Sequence, residues 1–383
     1  MSPAFDVIVI GLGAIGSAAA RELARRGARV LGIDRWAPPH AMGSTHGETR
    51  IIREIYFEDP LYVPLLQRAY TLWETLEAEC GERLFTPCGG LMIGAPESAL
   101  IRGTRESAAR YGLPAQEFDA RTLASRFPQF ELPAHFVALL DPRAGYLDPE
   151  RAVAAQLAGA RAAGAAIHTD ERVLSWARDG DGIRVTTERG RYHAAQVIIA
   201  AGAWTRALIA PTRALPLTGE RQTLVWFDAG AARDRFAADR FPIWICEFED
   251  GQAIYGFPDQ PRGWKAAVHH AGGPIDDPDT IERAVTAADL ARVRGGVARL
   301  FSWVAHAPVN EAAICSYTDT PDLHFLIDRL PEEPRVLVTS ACSGHGFKFA
   351  GAIGELQAQL ILGETPTFDP APFRLARFGA SAR

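Results

Sequence analysis

The first strand-like segment of this chain runs directly into a glycine-rich turn, and this pairing restricts the fold more than any other feature of the sequence. Residues 7–10 are β-branched and apolar, residues 11–16 read GLGAIG, and an alanine-rich helix is predicted to end at Arg26. A second predicted strand, residues 29–33, ends at Asp34. Strand, glycine turn, helix, strand and terminal acid together form the dinucleotide-binding fingerprint of a Rossmann-like fold.

Each glycine of the turn has a separate role in this fingerprint. Gly11 makes the tight turn, Gly13 lets the backbone approach a pyrophosphate, and Gly16 lets the helix pack against the strand. The start of the helix directs backbone N–H groups and its dipole at the phosphates. Asp34 lies where a carboxylate accepts hydrogen bonds from the ribose hydroxyls. A glycine-rich turn without a ligand is the alternative interpretation. The predicted cofactor contacts here are Gly11, Gly13, Ala14, Ile15, Gly16 and Asp34.

Length, charge and cysteine content argue against several other classes of protein. At 383 residues the chain is long for one hydrophobic core, so we expect two domains. The formal net charge of -6 gives no basic surface for nucleic acid. The apolar run 7–20 is too short for a membrane span, and the absence of a zinc-like cluster predicts no metal site. Five cysteines, an odd number without paired spacing, favour a reduced, cytoplasmic setting.

Lysine is almost absent from the sequence. Among the 40 Lys and Arg residues, only Lys265 and Lys348 are lysines. Arginine serves an exposed surface equally well, so both are candidates for sites that need a compact ammonium group. Lys348 falls in the first turn of a helix predicted over residues 347–362, where a cation opposes the helix dipole and is expected beside a negatively charged ligand. The alternatives are two lysines without a function, and a Lys348 side chain that bends back to solvent.

The predicted elements change in character twice along the chain. Residues 196–200 form another apolar strand that runs into small residues, as expected where the backbone passes close to a large cofactor. Residues 280–300 are predicted to be helical, and an α/β pattern returns with a strand at residues 336–340. Between the strand at residues 196–200 and the helix predicted over residues 280–300, short β-type segments predict a mostly antiparallel sheet. These segments are residues 222–227, 242–248 and 252–257.

The two changes predict a combined α/β and α+β fold. A Rossmann-like dinucleotide-binding domain is expected to be interleaved with a mostly antiparallel-sheet substrate domain. The first domain is expected to comprise residues 1–85, 150–215 and 316–383, and the second to comprise residues 86–149 and 216–315.

Several motifs, spread from one end of the chain to the other, resemble a known family. They are residues 11–16 (GLGAIG), 38–40 (PPH), 43–53, 255–258 (YGFP), 315–318 (CSYT), 343–349 (SGHGFKF) and the tail 372–378. The chain resembles the monomeric sarcosine oxidase and N-methyltryptophan oxidase family of flavoenzymes, within the D-amino-acid oxidase-like superfamily. The resemblance covers essentially the whole length, and the SGHGFKF motif is highly specific.

The resemblance implies that FAD is the cofactor. Cys315 matches the cysteine that holds the flavin through a thioether to its 8α carbon. From the sequence alone, an ordinary buried cysteine is the alternative. The other implied contacts with FAD are Arg35, Ser44, His46, Thr49, Arg50, Val173, Gly202, Trp204, Gly344, Gly346, Phe347 and Lys348.

The resemblance also implies a substrate site. Arg53 and Lys348 match the pair that grips the substrate carboxylate, although local sequence alone also fits solvated arginines at 50 and 53. Lys265 matches the lysine that activates oxygen. The implied substrate pocket contains Arg53, Ile245, Tyr255, His269 and Lys348. The implied catalytic residues are Arg50, Lys265, His269 and Tyr317.

The implied activity is oxidation of a secondary amino acid, with hydride transfer from the amine C–H to flavin N5, hydrolysis of the imine, and reoxidation by O2 that gives H2O2. The sequence departs from the family pattern at Thr45, Glu48 and Ile245, and it has one additional residue between Gly251 and Tyr255. These departures leave the substrate open among sarcosine, a bulkier N-methyl amino acid, a cyclic imino acid and a pathway-specific amine. We expect a cytoplasmic monomer that binds a small-molecule substrate and O2, without nucleic acid or membrane. The alternatives are a flavin monooxygenase, a dehydrogenase of another class, and a flavin-binding protein without turnover.

Overall fold

The described part of the chain, residues 4–382 of a computed structural model, contains 20 strands and eight α-helices. The strands are β1 (Phe5–Ile10), β2 (Val30–Ile33), β3 (Arg50–Ile52), β4 (Phe85–Pro87), β5 (Gly90–Gly94), β6 (Gln116–Asp119), β7 (Val137–Asp141), β8 (Gly145–Leu147), β9 (Ala166–His168), β10 (Val173–Asp179), β11 (Gly182–Thr187), β12 (Arg191–Ile199), β13 (Thr218–Phe227), β14 (Ile243–Glu247), β15 (Ala253–Gln260), β16 (Gly263–His269), β17 (Pro274–Ile275), β18 (Val309–Asp319), β19 (Leu326–Leu330) and β20 (Glu333–Ser340). The helices are α1 (Ala14–Arg25), α2 (Val63–Cys80), α3 (Ala99–Tyr111), α4 (Ala120–Arg126), α5 (Pro149–Ala162), α6 (Thr205–Ile209), α7 (Ala287–Val297) and α8 (Ala350–Leu362). Within residues 4–382, no helix combines the length and the apolar sequence that a bilayer span requires.

The first sheet contains the N-terminal fingerprint. Its order is β10-β11-β12-β1-β2-β9, with β20 beside β12 and β19 beside β20. The strand β1 pairs in parallel with β2 and β12, and β12 pairs in parallel with β20. Val7, Ile8 and Val9 are fully buried, as expected for a parallel strand covered on both faces. The helix α1 contacts both α5 and α8. This sheet confirms the predicted Rossmann-like part.

The second sheet is antiparallel except for one pair. Its order is β17-β13-β16-β15-β14-β5-β7-β6, β18 pairs with β13, and only β14 and β5 run in parallel. Trp244 and Trp264 stack at 5.9 Å with Phe301 against both, so this face forms an aromatic core. The strands β3, β8 and β4 form a third, small sheet. The combined α/β and α+β fold is therefore confirmed, while the predicted domain boundaries stay a prediction.

One predicted helix is shorter than expected. The sequence predicts a helix over residues 280–300, whereas α7 covers only Ala287–Val297. Thr286 is the N-cap: its hydroxyl accepts a hydrogen bond from the N–H of Asp289, and the Asp289 carboxylate accepts one from the N–H of Thr286. This capping box fixes the start of the helix. The prediction was wrong for residues 280–286 and for residues 298–300, which form a turn after the helix.

The strand ends of the first sheet meet one face of the second sheet. The strands β1, β2, β12 and β20 are parallel neighbours, so their carboxyl ends, and the loops that follow them, lie at one edge. In the second sheet, Ile245 and Tyr255 point away from the aromatic core because successive side chains of a strand alternate between faces. Functional side chains from both sheets therefore converge.

Candidate active site

A large cavity of about 560 Å³ runs between this edge of the first sheet and the facing side of the second sheet. Most of the predicted site residues line it. They are Gly11, Gly13, Ala14, Ile15, Asp34, Arg35, Ser44, Thr49, Arg50, Arg53, Val173, Gly202, Trp204, Ile245, Tyr255, His269, Cys315, Tyr317, Gly344, Gly346, Phe347 and Lys348. The structure therefore brings together residues that are far apart in the chain.

One end of the cavity has the geometry of a phosphate cradle. Gly11 has a φ of +88°, and a Cβ there would lie 2.6 Å from the Ala200 oxygen, so glycine is required. At Gly13 an added Cβ would make one ordinary van der Waals contact, with Thr45 Oγ1 at 3.5 Å, so only this hydroxyl crowds the turn where it lines the cavity. The first helical hydrogen bond runs from Ser17 N to Gly13 O, which leaves the preceding N–H groups of the helix without helical partners. These features fit a pyrophosphate.

Asp34 lies at the carboxyl end of β2 beside this cradle. Its Oδ2 accepts a hydrogen bond from Leu12 N at 2.7 Å, and its Oδ1 accepts one from Trp36 N at 2.9 Å. Each carboxylate oxygen has a second lone pair, so both can still accept from ribose hydroxyls. The carboxylate is thus fixed in place by the backbone and lines the cavity. Cradle and carboxylate together fit the adenosine diphosphate half of a dinucleotide.

Cys315 lines a more buried part of the cavity. The residue is 3% exposed, and its Sγ lies 3.6 Å from Arg50 Nη2 and 3.6 Å from Ser44 O. Arg50 donates hydrogen bonds to Thr49 O and Ser44 O, both at 2.8 Å. These bonds hold the guanidinium beside the sulfur.

Three predicted site residues lie outside the cavity wall: Gly16, His46 and Lys265. A Cβ on Gly16 would lie 1.8 Å from the Gly11 oxygen, so this glycine permits the close packing of α1 on the turn. His46 is buried, and its Nε2 has no hydrogen-bond partner among residues 4–382. Burial, together with Arg50 and Lys265, lowers the pKa of His46 to about 3, so its ring is neutral.

Lys265 is fully buried directly behind the wall. Its Nζ donates to Gly47 O at 2.5 Å, Thr49 O at 2.9 Å and Thr49 Oγ1 at 3.1 Å. Burial and the neighbouring Arg50 lower the pKa of Lys265, whereas three oxygen acceptors match the three N–H donors of an ammonium group. Nζ also lies 4.6 Å from the ring centre of Phe257, which lines the cavity.

Arg53 is buried with part of its guanidinium unused. It is 1% exposed, and its Nη2 donates to both Glu58 oxygens at 2.7 Å. Its Nε and Nη1 have no partner among the described residues. The guanidinium packs 4.2 Å from the ring of Tyr56 and 4.4 Å from that of Phe57. Buried donors without acceptors are unfavourable, so this arrangement favours an anionic ligand.

Lys348 provides a second buried cation at the same place. It is 4% exposed, and its Nζ donates to His345 O at 2.6 Å and to Tyr56 Oη at 3.5 Å. Burial and Arg53 lower the pKa of Lys348 to about 7, against an opposing effect of Glu58. Burial raises the pKa of Glu58, but Arg53, His345 and Lys348 together bring it down to about 2. Arg53 is thus paired with an ionised carboxylate, whose charge also acts on Lys348.

The remaining wall is aromatic and uncharged. His269 Nδ1 lies 3.2 Å from Tyr317 Oη, and the rings of His269 and Tyr255 meet edge to face with centroids 6.1 Å apart. Burial and the neighbouring His270 lower the pKa of His269 to about 3. Burial raises the pKa of both tyrosines. Ile245 completes this part of the wall, so the cavity that Arg53 and Lys348 line is otherwise neutral on this side.

The sequence profile of the FAD dependent oxidoreductase family matches residues 6–360. The monomeric sarcosine oxidase of Streptomyces avermitilis is 41% identical over 379 residues, which cover 97% of this chain and 98% of that protein. The N-methyl-L-tryptophan oxidase of Salmonella agona is 36% identical over 376 residues, which cover 98% and 99%. The chain belongs to this family of FAD-dependent oxidoreductases. The resemblance and the cofactor that the motifs imply are thereby confirmed.

Solved structures share the fold of this flavoprotein. NikD, an unusual amino acid oxidase essential for nikkomycin biosynthesis, aligns with a TM-score of 0.84 at 24% identity over 97% of both chains. The L-proline dehydrogenase from P. horikoshii aligns with a TM-score of 0.83 at 22% identity, over 100% of this chain and 99% of that one. At these identities the likeness concerns the fold alone.

Three residues that surround Arg53 and Lys348 in this flavoenzyme were not predicted from the sequence. Glu58 binds Arg53, and Tyr56 Oη lies 2.6 Å from His345 Nδ1, which supports the loop that carries Lys348. Glu58 follows Arg53 by only five residues, but an acid in a loop gives no signal of its partner. Tyr56 and His345 are distant in the chain and meet only in the folded protein.

A second polar cluster lies behind His269. Metal-capable atoms of Glu220, His270 and Asp319 lie within 4.8 Å of one another. His270 Nδ1 is 2.8 Å from Glu220 Oε2 and 3.9 Å from Asp319 Oδ2. Its hydrogen bond to Glu220 and the charges of both acids raise the pKa of His270 against burial, while burial and the neighbouring Glu220 raise the pKa of Asp319 to about 6, so mutual hydrogen bonding and charge account for the cluster. The absence of a metal site stays a prediction.

Proposed function

We propose that this protein is an oxidase of secondary amino acids that takes a hydride from the C–H bond beside the amine and reduces O2 to H2O2. The observation that carries this proposal is the pair of buried basic groups, Arg53 and Lys348: Arg53 Nε and Nη1 have no acceptor among residues 4–382, and both side chains line the cavity whose remaining wall is neutral and aromatic. FAD, when bound, supplies the two-electron acceptor and the reactivity toward O2.

Arg53 and Lys348 are suited to hold the substrate carboxylate. Charge-assisted hydrogen bonds from two cations fix a carboxylate in position and direction, which orients the rest of a small amino acid. Glu58 occupies part of Arg53, so an incoming carboxylate competes with it. We therefore expect the site to select an anion that binds Arg53 strongly enough to share it with Glu58 or to displace Glu58.

The amine must be neutral before a hydride can leave the adjacent carbon. The wall of His269, Tyr255 and Tyr317 offers hydrogen-bonding groups without charge, and burial disfavours an ammonium ion there. The positive charges of Arg53 and Lys348 also disfavour an ammonium ion at this position. The pocket therefore favours the reactive form of the amine. We assign Arg50 a further role beside the cofactor ring, because its guanidinium is fixed at the cavity wall next to Cys315.

Lys265 is the candidate for oxygen activation. Its ammonium is fixed by three oxygen acceptors, without a carboxylate partner among the described residues, so its charge is not neutralised locally. A buried, pre-oriented cation stabilises negative charge that develops on O2. Thr49 and Phe257 separate it from the cavity by a single layer.

Cys315 is the candidate for covalent attachment of the flavin. Its sulfur lies in the cavity wall beside a fixed guanidinium. Acid precipitation of the wild-type holoenzyme should leave the yellow colour in the pellet, whereas Cys315→Ser should release it to the supernatant. Complete release from the wild-type protein would show that the cofactor is held without a covalent bond.

Anaerobic bleaching of the flavin tests the activity directly. Purified holoenzyme is mixed with sarcosine, N-methyl-L-tryptophan, L-proline and L-pipecolate, and the flavin absorbance is followed. Bleaching by one of them establishes amine oxidation and the size of the pocket. If none bleaches the flavin and acetate does not perturb its spectrum, the assignment of Arg53 and Lys348 to carboxylate binding is wrong. Consumption of NAD(P)H on mixing would instead favour a monooxygenase or a dehydrogenase.

The domain boundaries, the monomeric state and the cytoplasmic location belong to this proposal as well. The monomer rests on the resemblance, and the location rests on five cysteines that are all free in the structure. Light scattering of the purified protein across a tenfold range of concentration tests the monomer.

A further inference from the structure

The adenosine end of the cavity is walled by side chains from three separate segments. Arg35 and Trp36 follow β2, Arg172 precedes β10, and Trp204 follows β12; all four line the cavity. The rings of Trp36 and Trp204 meet edge to face with centroids 4.9 Å apart, and the Arg35 guanidinium lies 4.7 Å from the Trp36 ring. Asp34, the ribose-binding carboxylate of the fingerprint, precedes this wall directly, so the wall surrounds the place for the adenosine group.

The carboxylate of Asp279, in a loop that connects elements of the second sheet, accepts hydrogen bonds from three of these wall residues. Trp204 Nε1 donates to Asp279 Oδ1 at 2.6 Å, Arg172 Nη2 donates to Asp279 Oδ2 at 3.1 Å, and Arg35 Nη1 donates to Asp279 Oδ1. Asp279 itself does not line the cavity. It lies between β17 and α7 in the chain, in the connection of the second sheet rather than in the nucleotide fold.

The segment that carries Asp279 is fixed at both sides. Asp277 Oδ1 accepts a hydrogen bond from Asp279 N at 2.9 Å, which sets the turn. Arg283 donates to Met42 O at 2.7 Å and to Ala41 O at 3.3 Å, so the segment is also joined to the loop that follows β2. The Asp279 carboxylate is therefore held in place before any ligand arrives.

We propose that Asp279 is a positioning residue for the adenosine half of FAD, which it serves by fixing Arg35, Arg172 and Trp204 as one wall. An isolated surface ion pair contributes little, because solvent screens it and two long side chains lose freedom. Here a single carboxylate is shared by three donors from three segments, so one loss frees all three side chains. The inference rests on FAD binding and does not depend on the proposed oxidation of amines.

The test measures flavin release without any substrate. In a Cys315→Ser background, which removes the proposed covalent bond, flavin-loaded protein is diluted and the fluorescence of released FAD is followed. Asp279→Asn keeps the shape of the side chain but removes the charge, and should release FAD about tenfold faster. The matched control is Asp250→Asn, an exposed acid paired with Arg299, which should change the rate less than about twofold. Arg172→Gln, which removes one of the three donors, should have an intermediate effect.

FMN separates positioning from general damage to the fold, because FMN lacks the adenosine group. Asp279→Asn should weaken FAD binding about tenfold and leave FMN binding unchanged. Equal weakening of both ligands, or of neither, would overturn the proposal. If Cys315→Ser protein retains too little flavin, the same variants are compared in the Cys315 chain by the FAD concentration at half-maximal reconstitution. A failed oxidase assay with a preserved difference between FAD and FMN would reject the proposed function but not this role of Asp279.

Discussion

Lys265 and Lys348 are buried to a similar extent, 0% and 4% exposed, yet their surroundings differ. The Lys265 ammonium has three oxygen acceptors within 3.1 Å and lies behind the cavity wall. The Lys348 ammonium has one carbonyl acceptor at 2.6 Å and a phenol at 3.5 Å, and it lines the cavity together with Arg53. Burial lowers the pKa of both.

The difference shows that unused donors distinguish the two roles better than burial does. An ammonium enclosed by neutral oxygens is already oriented and keeps its geometry with or without a ligand. An ammonium with two acceptors for its three N–H donors, in the same cavity as a partly unbonded guanidinium, still has one donor for an anion. We therefore expect Lys265 to affect the reaction with O2, and Lys348 to affect ligand binding.

The largest expected effect comes from Lys265→Met. Loss of one fixed positive group from a buried site should slow the reaction of the reduced enzyme with O2 about 100-fold or more. The rate at which substrate reduces the enzyme should change less than about threefold, since Arg53 and Lys348 are unchanged. Stopped-flow measurements of the two half-reactions check this, with Lys348→Met as the matched control. Equal slowing of both half-reactions would contradict the assignment.

Lys348→Met should show the opposite pattern. Removal of one of two buried cations should raise the dissociation constant of a simple carboxylate such as acetate about 30- to 100-fold. The reaction of the reduced enzyme with O2 should stay close to that of the unmodified protein. Titration of the flavin spectrum with the carboxylate provides the measurement. Unchanged affinity would mean that Arg53 alone holds the anion.

The pH dependence of carboxylate binding should follow Lys348. Its pKa is lowered to about 7 in the free protein, and a bound carboxylate favours the ammonium form, so binding takes up a proton. Affinity should be constant below pH 7 and fall up to about tenfold for each further pH unit. Lys348→Arg, which stays charged, should give a flat profile over the same range. A flat profile in the unmodified protein would contradict the low pKa.

Local physics explains why some of these residues could be predicted from the sequence. Gly11 and Gly16 are required by a turn that is complete within a few residues, and the two lysines are conspicuous in a chain that otherwise uses arginine. The start of α7 had a readable signal, because Thr286 and Asp289 have capping-box spacing. That signal was outweighed by the helical character of the whole window.

Other features depend on contacts between distant segments. No local pattern relates Asp279 to Trp204, or Tyr56 to His345, because each pair is formed only when distant segments of the chain meet behind the cavity wall. The position of Lys265 one layer behind the wall is of the same kind. The resemblance identified the residue, but the three acceptors that hold it come from the folded loop at Gly47 and Thr49.

Glu58→Gln tests how the anion-binding pair, Arg53 and Lys348, is controlled by its own carboxylate neighbour. With its pKa lowered to about 2, Glu58 is ionised at neutral pH and competes with a ligand for Arg53. Its neutralisation should tighten binding of a carboxylate about three- to tenfold, because the guanidinium loses its internal anion. The same flavin titration measures this. Weaker binding would show instead that Glu58 orients Arg53 for its ligand.

The smallest expected effect comes from Thr49→Val, which removes one acceptor of Lys265. Thr49 Oγ1 is the most distant of the three acceptors, at 3.1 Å, and both carbonyls remain after the change. The free energy of unfolding should fall by about 1 kcal/mol, and the reaction with O2 should slow less than about tenfold. Carboxylate affinity, and its dependence on pH, should stay as they are because Lys348 has no contact with Thr49. If this variant slows the O2 reaction as much as Lys265→Met, then the orientation of the ammonium, rather than its presence, limits that step.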